Sequence, residues 1–143
     1  MTRKSASSKQ YLLKAGVGFH GHLGPYLVFG LRIGMIAVRI LKPKRLHELS
    51  ATVWTRKSPP QSCVLDGIQV SSGCTLGKGN IRVKESRRTK ARFRKGRRTV
   101  LIGLTEKTTT LLSGIAEETP QRKVEKIARL LYEMPDRELF VIA

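Results

Sequence analysis

The longest apolar run in the chain is Pro25-Tyr26-Leu27-Val28-Phe29-Gly30-Leu31-Arg32-Ile33-Gly34-Met35-Ile36-Ala37-Val38-Arg39-Ile40-Leu41. A helix that is hydrophobic nearly all round belongs at the centre of a core. Its proline suits a first helical turn, where the missing N–H is harmless. Gly30 and Gly34, one turn apart, are expected to let a second backbone come close. Upstream, Tyr11, Leu12 and Ala15 share one face and predict a first helix over 9–17, after which Gly16 and Gly18 loosen the chain. Pro43 ends the apolar helix, and residues 49–55, rich in β-branched and aromatic side chains, read as a strand. After Pro59-Pro60, Ser62 is expected to cap a third helix over 63–72, with Gly73 as its left-handed terminator. Residues 81–84, 91–94 and 97–104 read as strands of a basic meander. Over 105–118 the β-branched Thr108, Thr109 and Thr110 compete with a helical Leu111-Leu112. A last helix is marked by Thr119 as cap, Pro120 in the first turn and the stripe Val124, Ile127, Ala128, Leu131. A terminal strand is expected over 138–142. The sum is an α+β domain over 9–143, a mixed sheet with helices packed on it, preceded by a disordered basic tail over 1–8.

At 143 residues and 16.0 kDa, the chain has length for one core and not two. Its hydrophobic content of 40% and charged content of 27% are ordinary for a globular protein. Charge is the departure: 28 Lys+Arg against 10 Asp+Glu give +18. A field of that sign attracts polyanions such as nucleic acid, an anionic membrane face, acidic proteins or phosphorylated cofactors. A basic proteome or a thermophile's surface would give the same excess with no such partner. Two cysteines make no disulfide framework, and the first eight residues lack the apolar segment of a signal peptide. The run from Pro25 to Leu41 is short for a membrane span and carries two arginines. A cytoplasmic protein with no membrane partner is expected.

The stretch Phe19-His20-Gly21-His22-Leu23-Gly24-Pro25 holds the first candidate chemistry. His20 and His22 can present two imidazoles from one tight loop at the start of the apolar helix, where anions and metals are commonly held. A solvated loop is the bland alternative. Cys63 falls at a helix start, where the dipole favours thiolate. Asp66, three residues on, shares its helical face, so the pair suits a metal site or a nucleophile; helix-end charge complementarity is the plain reading of Asp66. With residues 63–73 helical, Cys63 and Cys74 stand about 16 Å apart, too far for a disulfide. Cys74 also reads as a buried small hydrophobe. The turn Gly77-Lys78-Gly79-Asn80 could wrap an anion through its N–H groups and Lys78, but it lacks the phosphate-loop pattern. Between Arg82 and Arg98 ten basic residues face one acid, Glu85. An 82–98 hairpin gripping nucleic acid through Arg87, Arg88, Arg97 and Arg98 is therefore an alternative function, binding in a salt-dependent way. Phe93 is the one aromatic residue interleaved there, a poor basis for base stacking.

Taken together these blocks resemble the FmdE family, named for the E component of formylmethanofuran dehydrogenase. The residues that carry the resemblance are Phe19-His20-Gly21-His22-Leu23-Gly24-Pro25 with Gly30 and Arg32, then Cys63-x-x-Asp66-Gly67-Ile68-Gln69, Gly73-Cys74-Thr75-Leu76-Gly77-Lys78-Gly79-Asn80 and Glu138-Leu139-Phe140. They run from about residue 9 to the C-terminus in the family's order. The resemblance implies a fold similar to the catalytic domain of glyceraldehyde-3-phosphate dehydrogenase and a homodimer. It also implies an archaeal metal- or anion-binding protein accessory to molybdopterin-type one-carbon metabolism. It carries over His20, His22, Cys63 and Cys74 as ligands of a divalent metal such as zinc, and Asp66 beside them. Lys78 and Asn80 would meet an anionic small-molecule ligand, while Cys63 and Asp66 are the candidates for a catalytic role. One departure matters. The family commonly reads H-G-H-x-C-P-G, and here Gly24 stands at the cysteine position and Tyr26 at the later glycine. No cysteines remain for a C-terminal zinc-ribbon.

Overall fold

The computed structural model describes residues 2–143, with side chains from residue 8 onward. Apart from Ser8, the expected tail over 1–8 lies outside the described side chains. The elements in chain order are α1 (Thr2–His20), α2 (Pro25–Leu41), β1 (Ser50–Thr55), α3 (Val64–Ser72), β2 (Ile81–Glu85), β3 (Lys90–Lys95), β4 (Arg98–Leu104), α4 (Glu106–Ser113), α5 (Gln121–Glu133), α6 (Asp136–Leu139) and β5 (Phe140–Ile142). The α+β reading holds. The five strands form one mixed sheet in the order β2-β1-β3-β4-β5, in which β1 and β2 are parallel and the remaining neighbours antiparallel.

As its composition demands, α2 is the centre of the core. Leu27, Val28, Phe29, Leu31 and Ile33 are wholly buried, and each contributes roughly 1.5–3 kcal/mol by leaving water. The helix meets Val53, Phe93 and Ile102 on one face of the sheet, and Phe29 meets Phe140 edge-on with centroids 5.9 Å apart. The close backbone approach expected at Gly30 and Gly34 is made by α3. A Cβ at Gly30 would fall 2.1 Å from the Val64 carbonyl oxygen, and one at Gly34 1.9 Å from Ser71 Oγ. On the facing helix, a Cβ at Gly67 would fall 2.4 Å from the Leu27 carbonyl oxygen. Ser71 Oγ donates to the carbonyls of Gly67 and Gly30, so the hydroxyl joins the two helices where glycine has removed the side chains.

Arg32 is buried within α2, and its guanidinium is fully used. Nη1 donates to the carbonyls of Leu131 and Tyr132 at the end of α5, while Nη2 donates to Asp136 Oδ1 at 2.6 Å. Arg39 takes the other carboxylate oxygen of Asp136 at 2.8 Å. Burial alone would raise the Asp136 pKa, but its hydrogen bonds to the two arginines outweigh this and hold it below the usual carboxylate range.

Several expected boundaries shift. The first helix does not stop at 17 but continues to His20. Ser62 lies in a short 3-10 turn, and Cys63, not Ser62, takes the cap position of α3 without a side-chain capping bond. Pro120, not Thr119, occupies the cap of α5. The ambiguous stretch resolves as α4 because Thr105 caps it, accepting from the Thr108 N–H. The largest correction concerns 82–98. This is no hairpin, because β1 lies between β2 and β3; the hairpin is β3–β4. Gly73 does terminate α3, at φ +75°.

Candidate functional site

His20 is the last residue of α1, and Gly21 follows at φ +102°, with its N–H returned to the Val17 carbonyl at 2.8 Å. The glycine between the histidines is therefore a helix terminator. Its left-handed backbone, unfavourable for other residues, turns the chain so that His22 faces His20. Their ring centroids are 4.4 Å apart and tilted by 37°. Contrary to the loop expected for both, His20 is anchored on a helix and nearly buried, while His22 is exposed on the connection to α2. Gly24 caps α2 in extended backbone, φ −146°.

The α2–α3 contact brings Asp66 to this corner. Its Oδ2 lies 2.6 Å from His20 Nδ1. A carboxylate can only accept, so Nδ1 carries the proton and donates. Nε2 of the same ring is buried with no hydrogen-bond partner, alone among buried side-chain nitrogens and oxygens of the described residues. A buried N–H without an acceptor carries a full desolvation penalty, so the neutral tautomer with a lone pair on Nε2 fits this environment. That imidazole is oriented by a carboxylate and holds an unused lone pair, the arrangement typical of a metal-ligating histidine and of a general base.

The other candidates divide. Cys63 stands one turn before Asp66, and burial followed by the Asp66 charge pushes its thiol pKa up, opposite to the lowering expected from a helix start. Cys74 is wholly buried at the far end of α3, its thiol likewise raised by burial, so the structure does not bring it to the histidines. Among the described residues no three His, Cys, Asp or Glu side chains are grouped as a ready metal cage. Asn80 is committed to its own loop, accepting from the Thr75 N–H and donating to the Leu49 carbonyl. Lys78 is exposed in the same turn. Arg87 and Arg88 precede β3 and Arg97 follows it, so the expected arginine cluster is split across the length of that strand. Arg98 is engaged elsewhere: with Lys95 it donates to carbonyls at the end of α2.

Beside the histidines, Pro25, Tyr26, Pro59, Pro60, Leu112 and Ile115 line a mainly apolar groove of about 370 Å³. Burial raises the pKa of the Tyr26 hydroxyl. Sequence reasoning missed this groove, since nothing local connects 25–26 to 112–115.

Residues 19–141 match the family described as "FmdE, Molybdenum formylmethanofuran dehydrogenase operon". The chain belongs to the FmdE family. The crystal structure of an FmdE-like protein of tungsten formylmethanofuran dehydrogenase, from Syntrophus aciditrophicus, shares the fold. Its TM-score is 0.65 at 16% identity, covering 94% of this chain and 70% of that one. A probable S-adenosyl-L-methionine-binding protein from Archaeoglobus fulgidus is 33% identical over 73 residues, 49% of this chain. The match covers 19% of that relative's length. Among the described residues of this FmdE-family chain, no helix is long and apolar enough to cross a membrane.

Proposed function

We propose that this FmdE-family protein is a metal-binding protein, accessory to one-carbon metabolism of the molybdopterin type, with its metal at the His20 corner. One observation carries the reading: His20 Nε2, buried and unpartnered, on a ring oriented by Asp66. His20 and His22 would be the nitrogen ligands, and Cys63 is the nearest soft donor in sequence to Asp66. Two imidazoles with or without a thiolate suit zinc and its neighbours. When bound, such a metal supplies a Lewis acid with coordination positions left open to an anionic ligand. Asp66 fixes the tautomer of His20, α1 fixes its position, and His22 adapts between Gly21 and Gly24.

Loading the purified protein with zinc, cobalt or nickel and measuring retained metal tests this. His20→Ala is expected to abolish retention, and Asp66→Asn to weaken it about 10–100-fold, as loss of an orienting carboxylate does. Gly24→Cys is the opposite test. Its backbone is extended, and a Cβ there would lie 3.7 Å from His22 Nε2. The added thiolate is expected to tighten binding. Protein that takes up none of these metals, or holds them equally well as His20→Ala, refutes the assignment.

The Archaeoglobus relative's name supports a second ligand, S-adenosylmethionine, for the apolar groove beside Tyr26, whose volume lies in the range of small-molecule sites. Calorimetric titration with S-adenosylmethionine, with Tyr26→Ala as control, decides it. The Cys63 nucleophile is disfavoured by the upward push on its thiol.

A further inference from the structure

The face of the sheet turned away from α2 and α3 carries the protein's charge in an ordered form. Strand alternation puts Arg82 and Lys84 of β2, Thr52 and Trp54 of β1, and Lys90, Arg92 and Arg94 of β3 on that side. The register sets them in rows. Arg82, Thr52 and Arg92 lie across the three strands, and Lys84, Trp54 and Lys90 form the next row. All five cations are exposed, and among the described residues none makes an ion pair. Three of them converge on the one tryptophan: Lys90 Nζ is 5.1 Å, Arg92 Cζ 5.4 Å and Lys84 Nζ 5.7 Å from the ring centroid of Trp54. Beside this cluster Arg82, Arg92 and Arg94 line an open groove of about 430 Å³, together with Ser50, Thr52 and Asn80.

We propose that this open sheet face binds a single strand of nucleic acid through its phosphates. Charge complementarity commits the face to a polyanion, because five unopposed cations set against a second copy of themselves would repel. Its dimensions favour one strand. Three β-strands at about 4.8 Å spacing make a strip roughly 10 Å wide, and alternate residues repeat along it every ~6.6 Å. Arginines in the groove supply planar donors suited to phosphate oxygens. Hydroxyls of Ser50 and Thr52 stand between them. Trp54 offers a ring that bases can stack upon once phosphates draw the cations away. Phe93, the aromatic residue apparent in the basic segment itself, is buried on the other face, so Trp54 takes that role from a strand distant in sequence. This binding rests on different residues from the His20 metal, and either can fail alone.

The experiment is anisotropy of labelled oligo(dT) and oligo(rU) with the full chain, followed across salt. For single strands the slope of log K against log salt is about −0.7 per phosphate neutralised. Five contacts therefore give about −3.5, or a roughly 100-fold loss of affinity between 50 and 200 mM salt. The triple variant Arg82→Gln/Arg92→Gln/Arg94→Gln is expected to flatten this to about sevenfold. Arg87→Gln/Arg88→Gln/Arg97→Gln, which leaves the face intact, should retain the steep dependence. Thermal melts confirm that both variants fold. In the unmodified protein, fluorescence from the sole tryptophan should change on binding and revert with salt, which tests the site independently of any variant. Binding insensitive to salt overturns the proposal. So does affinity unchanged in the first variant, duplex preferred over single strand, inorganic pyrophosphate bound as tightly as the oligomer, or self-association that the first variant abolishes.

Discussion

The contact between α2 and α3 makes a sharp prediction, because it is made of backbone. In Gly30→Ala the new methyl would lie 2.1 Å from the Val64 carbonyl oxygen and 2.9 Å from Gly67 Cα. Moving the first of these from 2.1 Å to an ordinary 3.4 Å contact separates the helices by about 1.3 Å. Overpacking of this kind costs about 1–3 kcal/mol when side chains can adjust. Here the atoms struck belong to the facing main chain, so the upper end applies. Replacing glycine inside a helix returns roughly 1 kcal/mol, leaving a net loss of about 2 kcal/mol. For a chain of this size each kcal/mol moves Tm by about 2–4 °C, and a fall of about 4–8 °C is expected in calorimetry. Gly18→Ala is the matched control. It is also helical, but nothing lies within 4 Å of its added Cβ, so it keeps only the propensity gain and should melt about 2–4 °C higher. Displacing α3 also carries Asp66 from His20, and metal retention should fall with Tm. Gly30→Ala protein melting at or above the parent would refute the reasoning.

Two further predictions concern ionisation. Asp136 has a folded pKa below the usual range, so its contribution to stability is complete above its unfolded value near 4 and is lost as pH falls through the lower folded value. Acid unfolding should show this loss in the parent and lack it in Asp136→Asn. Arg32→Met, which leaves the Leu131 and Tyr132 carbonyls without their donor, should cost about 1–3 kcal/mol at neutral pH. Tyr132, whose hydroxyl donates to the Lys9 carbonyl, is raised by burial to about 12. Its stabilisation is present below the unfolded value near 10 and is lost as pH rises through 12. Alkaline difference absorbance should contain a late tyrosine transition near 12, missing from Tyr132→Phe; if all tyrosines titrate together near 10, Tyr132 is not buried in solution.

What can be read from the sequence follows the range of the interaction behind each feature. α2 is legible because seventeen successive positions agree on burial, and Gly73 because a left-handed helix end is a local demand. Gly30 and Gly34 announce a close approach but not its partner, since Gly67 lies far along the chain. His20, His22 and Asp66 stand out as candidates, yet the division between an anchored and an exposed imidazole depends on where α1 ends. Arg32 looks like a charge marking a soluble helix. Its real partners, the end of α5 and Asp136, are about a hundred residues away and leave no trace in local pattern. The hairpin expected over 82–98 fails for the same reason: nothing near that segment says that β1 inserts between β2 and β3. The same insertion carries Trp54 into the basic cluster.

The sheet is also a partition. α1, α2 and α3, with the histidine corner among them, lie on one side, and the arginine groove opens on the other. Between them stand the packed side chains of Val53, Ala91 and Phe93, all fully buried. A ligand on either side touches no atom available to the other, so neither can displace its counterpart. Their binding free energies should add, and a titration on one face repeated with the opposite face saturated should return the same dissociation constant. A protein built this way can hold two unlike molecules at once, back to back across a single layer of strands.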